Sequence, residues 1–373
     1  MVFILVSSVA AVPSIGPRSH DRAADCGCQY LVRPVLGGGV HRDPPRQAGC
    51  ERSAVQSCPA RVGAQRSARD HGGPMHIAAH NWMRAEPIRR TLERMRAQGI
   101  ESIEIAGEPD QYDTRELRGL LKEHGQRCWG AVTLTLGKRN LAARDRAQRE
   151  ATVDYMKRVV TMVQELDGEI VSLVPVTVGK VVADGTPEEE WRWLVDGVKE
   201  VYHHAERAGV RLAIEPLNRF ETYLINRCDQ ALALADAVGP HCGVCLDVFH
   251  MNIEEADLHA AFRHAKGRIH DVHLADSNRF ALGMGQLDFG AIVQTLRDVG
   301  YDGALSLEFV ATVDRTPANP YGPQVETQPV DISPQQKQFI IDHGSNLLSD
   351  EFYSSLFERS MKVLRPLVAA TGT

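Results

Sequence analysis

The chain has 373 residues, 43% apolar and 24% charged, which suits one barrel-sized domain with extra segments or two smaller domains. Its formal net charge of -6 argues against a phosphate-backbone binder, and no apolar stretch reaches membrane-spanning length, so neither nucleic acid nor membrane is an expected partner. Residues 1–74 hold nine Arg, no Lys and five acids, a balance of +4 that leaves -10 from Met75 onward.

The opening Val2–Val12 run is apolar like a signal core but has no basic residue before it. Residues 13–74 show neither a helical nor a strand period, and their Arg, Gly, Pro and Ser content cannot bury a core. We read 1–74 as a disordered or non-native extension, with Met75 as the natural start of a catalytic domain over 75–373.

From Met75 the pattern alternates. Met75–His80 reads as a strand, Pro87–Gln98 as an amphipathic helix closed by Gly99, and Glu101–Ala106 as a second strand. Asp113 is placed to cap a helix over Leu117–His124, and Arg127–Leu134 is the third strand. A long charged helix over Arg144–Leu166 leads to the apolar strand Ile170–Pro175. Thr186-Pro-Glu-Glu-Glu supplies an N-cap, a first-turn proline and first-turn acids for a helix that runs to Arg207 before Gly209.

Four further strands follow, Arg211–Glu215, Gly243–Asp247, Ile269–His273 and Ala304–Glu308, with helices near Asp229–Val238, Asp257–Ala265 and Asp288–Val299 between them. The last helix spans Asp350–Ala369. Eight βα units in about 300 residues predict an α/β fold, a (β/α)8 TIM barrel. Its last connection is about forty residues with five prolines, too long for a simple βα loop, so 312–349 is expected to be a lid or assembly insertion between strand 8 and helix 8.

The four late strands end in Glu215, Asp247, His273 and Glu308, which a closed barrel would gather over its mouth. Crowded carboxylates repel and lose hydration, so three acids with an imidazole predict a divalent metal. The oxygen-rich set suits manganese, cobalt or magnesium better than structural zinc. Glu221, His250 and Arg279 lie just past these ends as candidate sugar contacts, with His80 a further candidate and Glu108 and Lys180 as rim charges. Arg219 fits either an ion pair or a substrate contact. Cys128, Cys228, Cys242 and Cys245 read as reduced thiols in a cytoplasmic protein, and Cys242-Gly-Val-Cys245 as strand packing.

Glu215-Pro-Leu-Asn-Arg-Phe-Glu221, Asp247-Val-Phe-His-Met-Asn-Ile-Glu-Glu255, His273-Leu-Ala-Asp-Ser-Asn-Arg279 and Leu307-Glu-Phe309 resemble the sugar phosphate isomerase/epimerase superfamily. The similarity is greatest to ketose 3-epimerases of the D-tagatose/D-psicose type and covers 75–310. It implies that Glu215, Asp247, His273 and Glu308 bind Mn or Co, that Glu215 and Glu308 also exchange the substrate proton, and that Glu221, His250 and Arg279 hold the sugar. The implied activity is proton abstraction beside a keto-sugar carbonyl through an enediolate, with His250 and Arg279 assisting.

The departure is Thr312–Ser349, which resembles the larger subunit of C-glycoside deglycosidases. That alternative is a lyase cleaving 3-oxo-C-glycosides by β-elimination, with a small β subunit as partner; either reading implies a homo- or hetero-oligomer. A remote alternative, an endonuclease IV-type DNA repair enzyme, needs several zinc ions and a basic surface that this composition lacks.

Overall fold

The computed structural model describes residues 74–312, 314, 316–319 and 348–369. The extension expected over 1–74 and most of the insertion expected at 312–349 lie outside the described residues.

Eight parallel strands close in sequence order: β1 His76–His80, β2 Ser102–Gly107, β3 Arg127–Thr133, β4 Ile170–Leu173, β5 Arg211–Ile214, β6 Cys242–Asp247, β7 Ile269–Leu274 and β8 Ala304–Leu307. β1 completes the ring by pairing with β8, from His76 opposite Ala304 to Ala79 opposite Leu307. The outer helices are α1 Ile88–Ala97, α2 Thr114–His124, α3 Arg146–Glu165, α4 Pro187–Ala208, α5 Cys228–Val238, α6 Val248–Glu254, α7 Leu258–His264, α8 Phe289–Asp298 and α9 Asp350–Ala369. The (β/α)8 barrel read from periodicity is therefore the fold. No helix among the described residues is long and apolar enough to cross a membrane.

Local chemistry explains the element ends. Thr186 and Glu189 form a reciprocal capping box at α4, Pro187 takes the first turn, and Gly209 closes the helix with φ 68°, a left-handed conformation that a side chain resists. Asp113 caps α2 as its sequence position suggested, accepting from the backbone N–H groups of Arg115 and Glu116. The helix begins at Thr114, a turn earlier than its apolar residues alone indicate. The sequence reading missed α6 altogether: its seven residues are too few for a helical period to emerge.

The barrel interior has two layers of different character. At the bottom, Ala78, Trp129, Ile170, Ala213, Cys245 and Ala304 form a separate apolar cluster. Above it lies a fully buried polar layer of His80, Glu104, Ser172, His273 and Ser306, with buried Asp271 one pleat repeat below His273 on β7 and reaching up from the level of Trp129. Two bulges help set this arrangement. The β2–β3 register passes from Ile103 opposite Cys128 to Glu104 opposite Gly130, which leaves Trp129 as the extra residue. The β6–β7 register slips in the same way beside His270, before Asp271. Trp129 then donates from Nε1 to Asp271 Oδ1 at 3.1 Å, tying the two bulged strands together across the barrel.

Beside the first bulge, Gly130 is required by space: a Cβ there would lie 2.3 Å from the Ile170 carbonyl oxygen and 2.4 Å from its Cγ2. Gly130→Ala is expected to destabilise the barrel by about 1–3 kcal/mol through overpacking against a strand backbone. Chemical denaturation of the two proteins tests this, and equal midpoints would refute it.

Candidate active site

Three carboxylates share one pattern at the mouth. Each has one oxygen bonded by the protein and one without an aligned hydrogen-bond donor. Glu308 Oε1 accepts from Trp82 Nε1 at 3.0 Å, Asp247 Oδ1 accepts from the Phe249 backbone N–H at 2.8 Å, and Glu215 Oε1 faces His273 Nδ1 at 3.1 Å. Their other oxygens, Glu308 Oε2, Asp247 Oδ2 and Glu215 Oε2, are buried and unsatisfied. His273 Nδ1 also lies 3.2 Å from Glu308 Oε2, so one ring atom addresses two carboxylates.

The local fold explains this half-occupancy. Asp247 is both the last residue of β6 and the N-cap of α6, so the helix start claims Oδ1 and leaves Oδ2 outward from the cap. Three residues later on the first turn of α6, His250 comes back over it, with Nε2 3.5 Å from Asp247 Oδ2.

Burial pushes the Asp247 carboxyl well above its usual range, and the nearby Glu308 charge adds to this. Burial acts upward on Glu308 too, but the charged His273 ring outweighs it and holds that carboxyl well below normal. Unsatisfied buried oxygens of this kind are the donor set that a hard divalent cation takes.

Among the described residues, ligand atoms lie within 4.8 Å of one another in three groups, Glu215–Asp247–His250, Glu215–Cys245–His273 and His80–Glu104–His273. They overlap at Glu215 and His273. Burial raises the Cys245 thiol well above its usual range, so it stays protonated and is a poor ligand. Glu215, Asp247 and His273, three of the four expected ligands, thus fall in these overlapping groups, while Glu308, the fourth, joins none of them and meets the cluster through His273 Nδ1.

Beneath the mouth, the buried polar layer orients His273. Its Nε2 is 3.3 Å from Glu104 Oε1 and 3.7 Å from Asp271 Oδ2, while Asp271 is held by Trp129 and, at 3.3 Å, by the Ser172 hydroxyl. Burial acts downward on the His273 pKa, but nearby acids outweigh it and hold it well above normal, so both ring nitrogens carry protons; with Nε2–H directed at Glu104 and Asp271, Nδ1 is the atom that would give up its proton to a cation. Burial, then Asp271, pushes Glu104 up to about 8.

His80 lies in this same layer. It is fully buried, its Nε2 is 3.4 Å from Glu104 and 3.9 Å from Glu308, and its ring meets that of His273 edge-on at 4.5 Å. It is absent from the cavity lining, so the structure places this expected substrate contact behind the ligand side chains. Burial lowers its pKa to about 3, keeping the ring neutral. Glu104 and Asp271 were missed in the sequence because they sit inside strands, Ser102–Gly107 and Ile269–Leu274, whose acids can face either way. Only the i, i+2 spacing of Asp271 from His273 hinted at a shared face.

Above the ligands is a cavity of about 260 Å3, lined on its polar side by Glu215, Glu221, His250, Arg279 and Glu308. His250 Nδ1 faces the Asn218 side-chain nitrogen at 2.8 Å and its backbone N–H at 3.3 Å, which assigns Nδ1 as an acceptor and the neutral ring's proton to Nε2. Burial, reinforced by Arg279, lowers the His250 pKa well below normal. Arg279 donates to Glu221 Oε1 at 2.6 Å, stacks over Phe249 at 4.8 Å, and sits at φ 60°, an unusual backbone conformation held by its loop. Arg219 pairs instead with Glu254, at 2.7 Å, which settles it as an ion pair at the rim. Glu108 and Lys180 pair with Arg139 and Asp184.

Fold and mouth together define a (β/α)8 barrel that gathers an acid-rich, imidazole-containing cluster beneath a small polar cavity. The chain belongs to the xylose isomerase-like TIM barrel family, whose match spans residues 92–326. It is 34% identical over 225 residues to the L-ribulose 3-epimerase of Mesorhizobium japonicum, covering 59% of this chain and 75% of that protein. It is also 30% identical over 231 residues to the D-psicose 3-epimerase of Enterocloster bolteae, covering 59% and 76%. A solved L-ribulose 3-epimerase superposes with TM-score 0.67 at 25% identity, over 79% of this chain and 94% of that one. A D-allulose 3-epimerase from Methylomonas sp., solved with D-allulose, gives TM-score 0.66 over 79% and 98%; at 22% identity this likeness concerns the fold.

Glu104→Ala removes an acceptor of the His273 Nε2 proton without touching the cavity, so affinity for Mn2+ is expected to fall about 10–100-fold. Titration of the metal-stripped protein with Mn2+ measures this; unchanged affinity would show that Glu104 does not orient the imidazole.

Proposed function

We propose that the protein is a divalent-metal-dependent epimerase or isomerase of a free keto sugar. The observation that carries this reading is the trio of half-bonded carboxylates beside one imidazole under a monosaccharide-sized cavity. The relatives named as ketose 3-epimerases support it from an independent direction. The cation, Mn2+ first with Co2+ or Mg2+ next, would be held by Glu215, Asp247, His273 and Glu308; when bound it polarises the sugar carbonyl and acidifies the adjoining C–H.

The protein's own groups do the rest. Glu215 and Glu308 border the cavity from different strands, β5 and β8, so each can reach a different face of a carbon held between them. One, ionised, takes the proton beside the carbonyl, and the other, protonated beforehand, delivers its own proton to the opposite face; this inverts the carbon, and exchange with solvent resets both groups. Return to the neighbouring carbon instead would give an aldose–ketose isomerisation. His250, neutral with its proton on Nε2, donates to the oxygen on which charge develops. Arg279 and Glu221, already paired, act as a fixed donor–acceptor couple for adjacent hydroxyls. His80 packs edge-on against the His273 ring, behind Glu308. Buried free cysteines at 128, 228, 242 and 245 agree with a reducing, cytoplasmic setting.

The deglycosidase alternative rested on 312–349 and a small partner subunit, and nothing among the described residues favours it. Among the described residues the candidate metal groups overlap at Glu215 and His273, which favours one site over the three zinc ions of a nuclease.

Incubation of the Mn2+-loaded protein with ketoses in D2O is the direct test. Deuterium is expected beside the carbonyl, with formation of the epimer; no exchange with any ketose would overturn the proposal. Glu308→Gln keeps the shape but removes the base, and is expected to slow exchange by about 10^2–10^4-fold. Turnover near the parent rate in that variant would place the proton transfer elsewhere.

A further inference from the structure

The cavity is divided by polarity. Its polar residues come from the β5–β8 side, whereas the ends of β3 and β4 contribute Val132, Leu134, Leu136, Val174 and Val178, with Leu217 beside them. Two polar residues on that wall, Thr133 and Thr135, are committed to the protein. Thr133 Oγ1 accepts from the Val174 N–H at 2.9 Å, Thr135 Oγ1 donates to the Val174 carbonyl at 2.6 Å, and both residues are at most 1% exposed.

The wall's backbone is engaged in the same way. Leu134 N–H donates to the Tyr155 hydroxyl, Leu136 N–H to Leu134 O, Val178 N–H to Thr135 O, and Gly179 N–H to Glu221 O. Nearby charges are spoken for: Arg139 binds Glu108 and Lys180 binds Asp184. A sugar hydroxyl pushed against this wall would lose its water and gain little in exchange.

The apolar character continues outward. Val181, Val182 and Phe220 are the large hydrophobic residues most exposed among those described, at 56%, 69% and 74%. They belong to the loops after β4 and β5, which a bridge between Lys180 and Thr222 joins at the cavity edge. Phe220 itself lines the cavity, so wall and rim are continuous.

We propose that the preferred substrate is a keto sugar whose end remote from the reacting carbon is apolar, either deoxygenated or carrying an alkyl or aryl group. This rests on the keto-sugar reading of the same site. The carbonyl and its neighbouring hydroxyls lie against Glu215, Glu221, His250, Arg279 and Glu308, and the far end of the chain lies against the valine and leucine wall. A methyl terminus fits within the cavity, and a larger apolar group follows the wall to Phe220.

The test compares three matched substrates with the Mn2+-loaded enzyme: a ketohexose, its 6-deoxy analogue and its 6-O-benzyl analogue. An apolar pocket discriminates against an added hydroxyl by up to about a hundredfold, so kcat/KM for at least one apolar analogue is expected to exceed the parent's about tenfold or more. A smaller ratio for both analogues overturns the proposal, while exchange of the proton beside the carbonyl in any of the three leaves the underlying activity standing. If none of the three exchanges, the underlying reading fails with it. Val178→Asn and Leu136→Asn, at partly exposed wall positions, should each erase the preference while keeping the parent's Mn2+-induced thermal shift; a retained preference in both folded variants also overturns it.

Discussion

Three buried carboxylates around one imidazole are the constraint on which this structure depends. Glu215, Asp247 and Glu308 are each at most 3% exposed, and like charges in such surroundings repel unless each finds compensation. The barrel meets half of that requirement. Trp82 Nε1, the Phe249 N–H at the start of α6 and His273 Nδ1 each address one carboxylate oxygen, which fixes the side chains. The remaining oxygens are left with an energetic deficit that a divalent cation would relieve.

That arrangement reaches down through the barrel. Glu104 and Asp271 fix His273 from below, Trp129 and Ser172 fix Asp271, and the bulge at Trp129 needs a glycine at position 130 to bring β3 against β4. Packing at the bottom of the barrel and ligand geometry at its mouth are thus one connected problem. A buried polar network of this kind gains strength from the low local dielectric and loses it quickly when one member is removed.

The cavity above adds a second division, between groups that are free to meet a ligand and groups already satisfied within the protein. On the β5–β8 side, Arg279 Nε and the ligand oxygens are buried without partners. On the β3–β4 side, hydroxyls and backbone N–H groups are bonded internally. Strand number therefore separates the chemistry from the wall, as the barrel topology allows, because the loop that follows each strand can vary independently of the others.

The sequence alone determined the barrel, since eight alternations of apolar runs with capped amphipathic helices admit few other arrangements. It also singled out Glu215, Asp247, His273 and Glu308 at strand ends, with Glu221, His250 and Arg279 beyond them, because such residues stand where a strand's apolar run stops and their positions are visible without coordinates. What it could not determine was which way an acid inside a strand faces, because pleat and bulge decide that: Glu104 and Asp271 became part of the site only once the β2–β3 and β6–β7 registers were known. His80 shows the same limit from the other side. It stands at a strand end in the sequence, yet ring closure places it beneath Glu308 and against His273, where packing from three neighbouring strands shields it from the cavity.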